Sequence, residues 1–209
     1  MRIVTAQELE SWLTEGKVLE KDARGPKVLA LADGSFLKVF YTRRRPFLAR
    51  LFPYAQRFAK NLAVLRDSGF NVPEIMDMFW LDKSNGLSGC LYQPLPGASI
   101  ESIFRADPSL IKQHLPELAH LIRRLHENGI YFRSLHIGNV ILLPNGSLGL
   151  IDVLDLQKKR SPLGKNLIHR NFSHLRNHLK RKKLEQFPIE ELIELYAAPL
   201  EKKRGPSET

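Results

Sequence analysis

Asn139 and Asp152 carry the side chains that point most directly to chemistry in this sequence. They stand thirteen residues apart, and the segment between them predicts a β-hairpin: an apolar run at 140–143, the turn signal PNG at 144–146, and a second run at 147–151. Because an antiparallel hairpin brings its open ends together, we expect the carboxamide and the carboxylate to lie side by side. Two hard oxygen donors at one point predict a Mg²⁺ site that nucleotide phosphates would complete.

The elements around this hairpin divide the chain into a mainly β first half and a mainly helical second half. The pattern predicts, in order, a helix at 6–15, strands at 17–22, 27–31 and 35–41, a helix at 47–68, and strands within 70–82 and 86–94. A helix with an apolar stripe (Leu115, Leu118, Ile122 and Leu125) then precedes the hairpin, and helices at 165–183 and 188–197 follow it. The rigid stretch PLPG at 94–97 separates the halves, so we expect lobes at 1–93 and 94–209.

The composition is typical of a soluble globular protein. Hydrophobic residues make up 43% of the chain and charged residues 26%, both ordinary values. No apolar stretch approaches the ~20 residues that span a bilayer, and the glutamate-containing N-terminal segment does not read as a signal peptide. The lone Cys90 excludes an intramolecular disulfide and gives no metal-binding CxxC pattern. We therefore expect a cytoplasmic protein.

The formal net charge is +10, and it is concentrated near the C-terminus. The segment from Lys158 to Lys183 holds ten basic residues and no acidic one, which equals the whole excess. It is either a solvated helix face or a surface for an anionic partner, namely a phosphorylated lipid headgroup, a membrane leaflet or a nucleic acid. Nucleic acid is the least favoured partner, because Phe172 is the segment's one aromatic residue for stacking on bases. A second basic cluster, Arg43-Arg44-Arg45, follows a predicted strand.

The order of β lobe, linker, long helix and hairpin resembles the protein-kinase-like fold. A protein-kinase catalytic loop reads H-R-D-L-x-x-x-N and is followed by a metal-binding Asp. Residues 132–139 read F-R-S-L-H-I-G-N, and Asp152 follows. Lys38 in GSFLKVF matches the strand lysine of such kinases, and CLYQPLPG at 90–97 resembles the hinge between their lobes. The segment LRDSGFNVPEI at 65–75 resembles the passage from the first-lobe helix to the next strand in bacterial small-molecule and lipopolysaccharide kinases.

Within that superfamily the sequence is most similar to the lipopolysaccharide core kinases, which include heptose kinases and 3-deoxy-manno-octulosonic acid kinases. Small Gram-negative relatives of these are often labelled toluene-tolerance proteins. The resemblance covers about residues 17–180. It implies an α+β, bilobal fold with a small antiparallel β N-lobe and a mainly helical C-lobe. It also implies ATP- and Mg²⁺-dependent phosphorylation of a sugar hydroxyl on lipopolysaccharide core or a related anionic glycolipid, at the cytoplasmic face of the inner membrane and in peripheral contact with it.

The resemblance assigns nucleotide-binding roles to six residues. These are Lys38, Gln56, Gln93, Leu95, Asn139 and Asp152, of which Asn139 and Asp152 would hold the metal. Gln56 is the nearest substitute by position for the helix glutamate that normally pairs with the strand lysine. No glycine-rich loop is present, since only Gly25-Pro26 lies between the first two strands.

Ser134 stands where protein kinases have the catalytic Asp that accepts the substrate proton. A serine hydroxyl is not a base near neutral pH without an activating partner, and losing a general base costs about 10²–10⁴-fold in rate. His136 and Asp155 are the nearby candidates for the base, although each is more simply explained as a structural residue. The alternative to a kinase is therefore a pseudokinase, a nucleotide-binding or scaffolding module with little turnover.

Overall fold

The computed structural model describes residues 1–42 and 46–199. The arginine cluster at 43–45 and the tail at 201–209, which the sequence marks as basic or frayed, lie outside the described residues. Within the described ranges, no helix is both long and apolar enough to cross a bilayer.

Strands predominate in the first half of the chain, and helices surround a short hairpin in the second half. In chain order they are β1 (Arg2–Ile3), α1 (Ala6–Glu15), β2 (Lys17–Asp22), β3 (Gly25–Ala30), β4 (Phe36–Phe40), α2 (Pro46–Leu51), α3 (Tyr54–Asp67), β5 (Glu74–Asp82), β6 (Leu87–Gln93), β7 (Ala98–Ser99), α4 (Ile100–Ala106), a 3₁₀ helix (Pro108–His114), α5 (Leu115–Glu127), β8 (Ile130–Phe132), a 3₁₀ helix (Ile137–Asn139), β9 (Val140–Leu142), β10 (Leu148–Leu150), β11 (Leu156–Lys158), α6 (Lys165–Arg181) and α7 (Ile189–Ala197).

The first six strands form one sheet in the order β1-β5-β6-β4-β3-β2. All neighbours are antiparallel except β1 and β5, which are parallel. The predicted strands of the first half are thereby confirmed, with ends that differ by at most four residues. The sheet ends at Gln93, whereas the proposed lobe boundary between residues 93 and 94 stays a prediction.

The strand β4 lies in the middle of this sheet and sends its side chains alternately to the two faces, as any strand does. Leu37 and Val39 pack into a small apolar cluster against α1. Phe40 packs on the opposite side, in the main core beside α3, and Phe36 lies against that core. Lys38 shares the face of Phe36 and Phe40, so the strand places one cation on an otherwise aromatic surface.

The predicted helix at 47–68 is two helices in the structure, α2 and α3. The break falls at Phe52 and Pro53. Proline has no backbone N–H to donate into a preceding turn, and its ring disfavours the helical conformation of the residue before it. The sequence interpretation missed this effect, because the apolar spacing of Phe58, Leu62 and Leu65 describes α3 alone.

The second half is built around the predicted hairpin, which is confirmed by the pairing of β9 with β10. The short β7 extends this hairpin to three strands, and β11 pairs with β8. Gly97, in the linker before β7, has a φ of +122°, and a side chain there would collide with the backbone of Leu142. The linker can therefore lie flat against the hairpin only because residue 97 is glycine.

Helix α5 packs against β10 of the hairpin, α6 packs against β8 and α7 against α5, and the predicted stripe of α5 is confirmed. Leu115, Leu118, Ile122 and Leu125 are all buried. They belong to one hydrophobic core that also contains Phe58 and Leu62 of α3, so the same core serves both halves of the chain.

Candidate active site

Lys38 and Asp152 form an ion pair between the sheet and the hairpin. Lys38 Nζ lies 3.0 Å from Asp152 Oδ1. The lysine side chain is 12% exposed and the aspartate side chain 48% exposed, so the cation is sheltered and the anion faces solvent. The rings of Phe58 and Phe40 lie 5.6 and 6.0 Å from the ammonium nitrogen, close enough to stabilise its charge. The pair therefore joins a fixed cation to an accessible carboxylate.

The backbone turns sharply at Asp152, just after β10. Its φ is +53°, in the left-handed region that non-glycine residues seldom adopt. Such strained positions persist where the surrounding structure determines them, and they cluster at functional sites. The neighbouring peptide is fixed, because Ile151 N donates to Asn139 O at 3.0 Å. This hydrogen bond closes the open end of the hairpin and confirms that the segments carrying Asn139 and Asp152 lie side by side.

Asn139 is buried at the base of the same cleft, with only 7% of its surface exposed. Its Nδ2 donates to Ser134 O at 3.0 Å, and its backbone N–H donates to His136 O at 2.8 Å. These two hydrogen bonds of Asn139 hold the loop 134–139 in its folded shape. Because Nδ2 is used inside the loop, the carboxamide oxygen is the atom left for a ligand.

Ser134 and Asp155 form the tightest polar contact of the loop. Ser134 Oγ donates to Asp155 Oδ2 at 2.5 Å, and Ser134 N donates to Oδ1 at 3.2 Å. Arg133 Nε lies 3.8 Å from Oδ2. Both carboxylate oxygens are thus directed at the residue that stands in the position of the kinase catalytic Asp. The structure brings a carboxylate to this position from the segment after the hairpin rather than from the loop itself.

His136 lies beside the loop in a stack of two imidazoles. Its ring is 3.8 Å from that of His178 with an interplanar angle of 9°, and His178 Nε2 is 3.0 Å from Glu101 Oε2. Burial lowers the pKa of His136 to about 4, and the adjacent His178 acts in the same direction. An imidazole with that pKa is neutral at pH 7 but a weak proton acceptor, since general bases work best with a pKa near the operating pH.

Two cavities meet at the ion pair. One, of about 290 Å³, has an apolar wall formed by Leu19, Val28, Phe36, Phe58, Pro73 and Tyr92. The other, of about 370 Å³, is polar and is lined by Glu20, Arg24, Lys27, Tyr41, Tyr54, Ser134 and Asp155 among others. Lys38 and Asp152 line both. The cleft therefore has an apolar end and a charged end, with the ion pair between them.

The hairpin of β2 and β3 places two cations, each paired with a carboxylate, at the charged end. Arg24 contacts Asp22, and Lys27 Nζ lies 2.8 Å from Glu20 Oε1. Both basic side chains line the cavity. This turn lies where kinases carry a glycine-rich loop over the phosphates, so charged side chains are found in place of a glycine-rich backbone.

Gln56 is exposed on α3, and its pairing with Lys38 stays a prediction. The groups found next to the Lys38 ammonium are the rings of Phe58 and Phe40 and the carboxylate of Asp152.

Gln93 and Leu95 lie at the end of β6 and in the linker. Gln93 is exposed and Leu95 is half-buried, packed over Gly149 of the hairpin. Neither lines the two cavities; Tyr92, the neighbour of Gln93, does so instead. A contact of the two residues with a nucleotide stays a prediction that involves their backbone groups.

Asn61 is a site-forming residue that the sequence interpretation missed. It is 9% exposed on α3, and its Nδ2 donates to Val153 O at 2.7 Å and to Leu154 O at 3.2 Å. It thereby ties α3 to the segment that connects Asp152 with Asp155. The available signal was a polar residue directly before Leu62, within the apolar stripe of α3.

The donor set fits a magnesium ion held jointly with a ligand. No group of three His, Cys, Asp or Glu side chains able to hold a metal occurs in ranges 1–42 and 46–199. Asn139 and Asp152 offer hard oxygen atoms, and Mg²⁺ is commonly bound through one or two protein oxygens, with waters and substrate phosphates as its other ligands. The two residues therefore suit Mg²⁺ together with a phosphate compound.

The sheet of the first half, the helical second half and the cleft between them define a bilobal, protein-kinase-like α+β fold. The chain is similar to a solved structure described as WaaP in complex with acyl carrier protein, with a TM-score of 0.56 and 16% sequence identity. The match covers 93% of this chain and 91% of that one. Significant matches extend to 1657 solved chains, so the fold is widespread and does not by itself specify a reaction.

No family model and no curated protein matches the sequence.

Proposed function

We propose that this protein is an ATP- and Mg²⁺-dependent phosphotransferase that phosphorylates a sugar hydroxyl of lipopolysaccharide core or a related envelope glycolipid. The observation that carries the proposal is the contact of the Asp155 carboxylate with Ser134, in the cleft that also holds the Lys38–Asp152 pair. The kinase-like fold and the sequence resemblance to lipopolysaccharide core kinases support the same reading. The choice of a glycolipid as the acceptor rests on that resemblance.

The nucleotide occupies the cleft with its base toward the apolar cavity and its phosphates toward the charged one. Lys38 binds phosphate oxygens, and Arg24 and Lys27 neutralise further charge from the β2–β3 turn. Asn139 and Asp152 hold Mg²⁺, which neutralises charge on the phosphates. Lys38 and Asp152 neutralise each other in the absence of ligand and bind its charges when it arrives.

The acceptor hydroxyl attacks the terminal phosphorus from the side of Ser134. A new P–O bond forms to the sugar, the bond to the bridging oxygen breaks, and ADP leaves with the electron pair. The proton of the hydroxyl passes to Asp155, directly or through the Ser134 hydroxyl with which it is hydrogen-bonded. His136 is less suited to this task because its pKa is about 4 and its ring is stacked on His178.

A pseudokinase remains the second candidate, and one observation favours it. Lys38 has no acidic partner on α3, where Phe58 lies against it, so Asp152 is the one carboxylate that pairs with it among the described residues. The carboxylate beside Ser134 favours the enzyme, because it supplies the base that the sequence of the loop lacks.

A magnesium-dependent nucleotide titration followed by a turnover assay tests the function. We expect ATP to bind with Mg²⁺ markedly better than without it, and purified core glycolipid to stimulate ADP release. The same protein with core glycolipid that lacks the acceptor sugars is the matched control. Nucleotide binding without glycolipid-dependent ADP release would favour the pseudokinase, and absence of nucleotide binding would contradict both readings.

The glycolipid substrate implies contact with a membrane, and α2 supports it. Phe47, Leu48, Leu51 and Phe52 at this helix are 67%, 42%, 57% and 73% exposed. Arg50 lies among them, and the three residues before Pro46 in the sequence are arginines. Exposed aromatic and aliphatic side chains beside cations match the interface of an anionic bilayer. Helix α2 lies between Tyr41 and Tyr54 in the sequence, and both tyrosines line the polar cavity. The site therefore lies next to this helix.

Replacing Phe47 and Phe52 together with Ser should lower binding to vesicles containing phosphatidylglycerol about tenfold, because each apolar side chain buried in the interface contributes binding free energy. The wild-type binding should weaken with added salt, since the lipid charge is then screened. Cosedimentation with vesicles measures both effects.

The control for this experiment is the double substitution of Ile3 and Met76 with Ser. These side chains are 62% and 56% exposed, and neither belongs to the α2 segment. Equal loss of binding in both variants, or binding that α2 substitutions leave unchanged, would contradict the proposed contact. Concentration-dependent self-association that only the Phe47 and Phe52 variant loses would assign the surface to a second copy of the chain.

A further inference from the structure

A third cavity, of about 460 Å³, opens on the helical side of Ser134 and Asp155. Its polar lining comes from the catalytic-loop segment and from one helix, α6. Apart from Ser134 and Asp155 it includes Arg133, Arg170, His174, Asn177, His178 and Arg181. The cavity shares Ser134 and Asp155 with the charged end of the cleft.

The α6 residues of the cavity lie on one face of the helix. Arg170, His174, Asn177 and Arg181 follow one another at spacings of four, three and four residues. Such spacings place side chains above one another on a helix surface. The basic side chains of this segment are therefore not equivalent, since those on one face of α6 line a concave site.

The charge in this cavity is strongly positive. Three guanidinium groups line it, and Asp155 is its only carboxylate. That carboxylate already accepts hydrogen bonds from Ser134 and lies near Arg133. Arg170 and Arg181 therefore have no acidic partner among the described residues that line the cavity.

Arg181 is held in place at the wall of this cavity. Its Nη2 lies 3.2 Å from His178 Nδ1, and His178 Nε2 in turn lies 3.0 Å from Glu101 Oε2.

We propose that this cavity binds an anionic substituent of the acceptor, a phosphate or carboxylate group on the sugar that is phosphorylated or on its neighbour. The inference rests on the proposed function. Guanidinium groups bind phosphate and carboxylate through paired hydrogen bonds, which fix orientation as well as affinity. Because Ser134 and Asp155 line both cavities, an acceptor anchored here presents its hydroxyl at the base and toward the nucleotide phosphates.

Binding of small probes tests this site without requiring turnover. Glucose 6-phosphate, glucuronate and inorganic phosphate are titrated by calorimetry or NMR into wild type and into the double variant Arg170→Gln/Arg181→Gln. Both arginines are exposed at the surface, so the variant should fold, and its melting temperature verifies this. We expect the double variant to bind a sugar anion about tenfold more weakly, or worse, because two charge-assisted contacts are lost.

The matched control is Lys165→Gln/Lys180→Gln, which removes the same charge from α6 outside the cavity. We expect this control to bind the sugar anions within about twofold of wild type, and both variants to keep their affinity for ATP. An equal loss in the two variants would show general electrostatic attraction and overturn the site. Inorganic phosphate binding as tightly as the sugar anions would also overturn it, in favour of a free-phosphate site.

Glycolipid kinetics separate failure of the site from failure of the proposed function. If wild type turns over core glycolipid and the arginine variant has an unchanged KM for it, the site is wrong and the function stands. If the arginines are needed for sugar-anion binding but no nucleotide binds, the function is wrong and the anion site stands. A raised glycolipid KM in the arginine variant, with a normal KM in the lysine variant, is the result expected.

Discussion

Asp155→Asn should lower glycolipid phosphorylation by about 10²–10⁴-fold while Mg-ATP binds as it does to wild type. Asparagine keeps the size of aspartate, and its Oδ1 can accept from Ser134 N while its Nδ2 donates to Ser134 Oγ, so the loop should keep its shape. What is lost is the carboxylate that takes the proton of the acceptor. Initial rates of ADP release at saturating glycolipid, with nucleotide affinity measured separately, give the two quantities.

Two further variants show whether the effect comes from the base. Adding Ser134→Asp to Asp155→Asn returns a carboxylate to the usual position in a kinase catalytic loop, and should recover at least about tenfold of the lost rate. Ser134→Asp alone should not help, because it places two like charges in contact. His136→Ala should retain most of the activity. An inactive His136→Ala protein beside an active Asp155→Asn protein would move the base to the histidine.

Lys38→Ala and Asp152→Ala should each weaken Mg-ATP binding at least about 100-fold, since each removes a charged contact with the nucleotide or its metal. The fold should survive both changes. Asp152 is half-exposed, and the ammonium of Lys38 lies at the edge of the cleft against aromatic rings that remain packed on one another. Fluorescence or calorimetric titration with ATP, with and without Mg²⁺, measures the loss.

Lys17→Ala is a suitable control for Lys38→Ala, because Lys17 is an exposed lysine of the same sheet that lines neither nucleotide cavity. It should bind Mg-ATP normally. The two positions also predict different patterns: the Asp152 variant should lose the benefit of Mg²⁺, whereas the Lys38 variant should bind poorly with or without it. Unchanged affinity in either variant would remove that residue from the site.

Local sequence signals predicted much of this cleft. The turn PNG and the two apolar runs were sufficient to bring Asn139 next to the strand end that carries Asp152, because a hairpin is defined by neighbouring residues. The alternation of β4 placed Lys38 on the face opposite Leu37 and Val39. Contacts of this kind follow from periodicity and turn chemistry alone.

The features that sequence missed depend on how distant elements pack. Phe58 beside Lys38, and Asn61 bound to Val153 O, both depend on how α3 packs against the sheet and the segment after the hairpin. Asp155 was a candidate base from the sequence, but its direct contact with Ser134 depends on where the chain goes after β10, which the residue types do not specify. For the same reason the positive charge of α6 was visible in the sequence, but its concave face was not.

The main hydrophobic core, which extends from Phe58 and Leu62 on α3 to Phe172 and Leu192 on the C-terminal helices, has a thermodynamic consequence. Two independent domains would each keep a core of their own and unfold separately. Here a large-to-small substitution at either end of the core removes packing from the same core. The two lobes therefore share one free energy of unfolding. We therefore expect denaturation to be a single cooperative transition, in which the nucleotide side and the acceptor side unfold together.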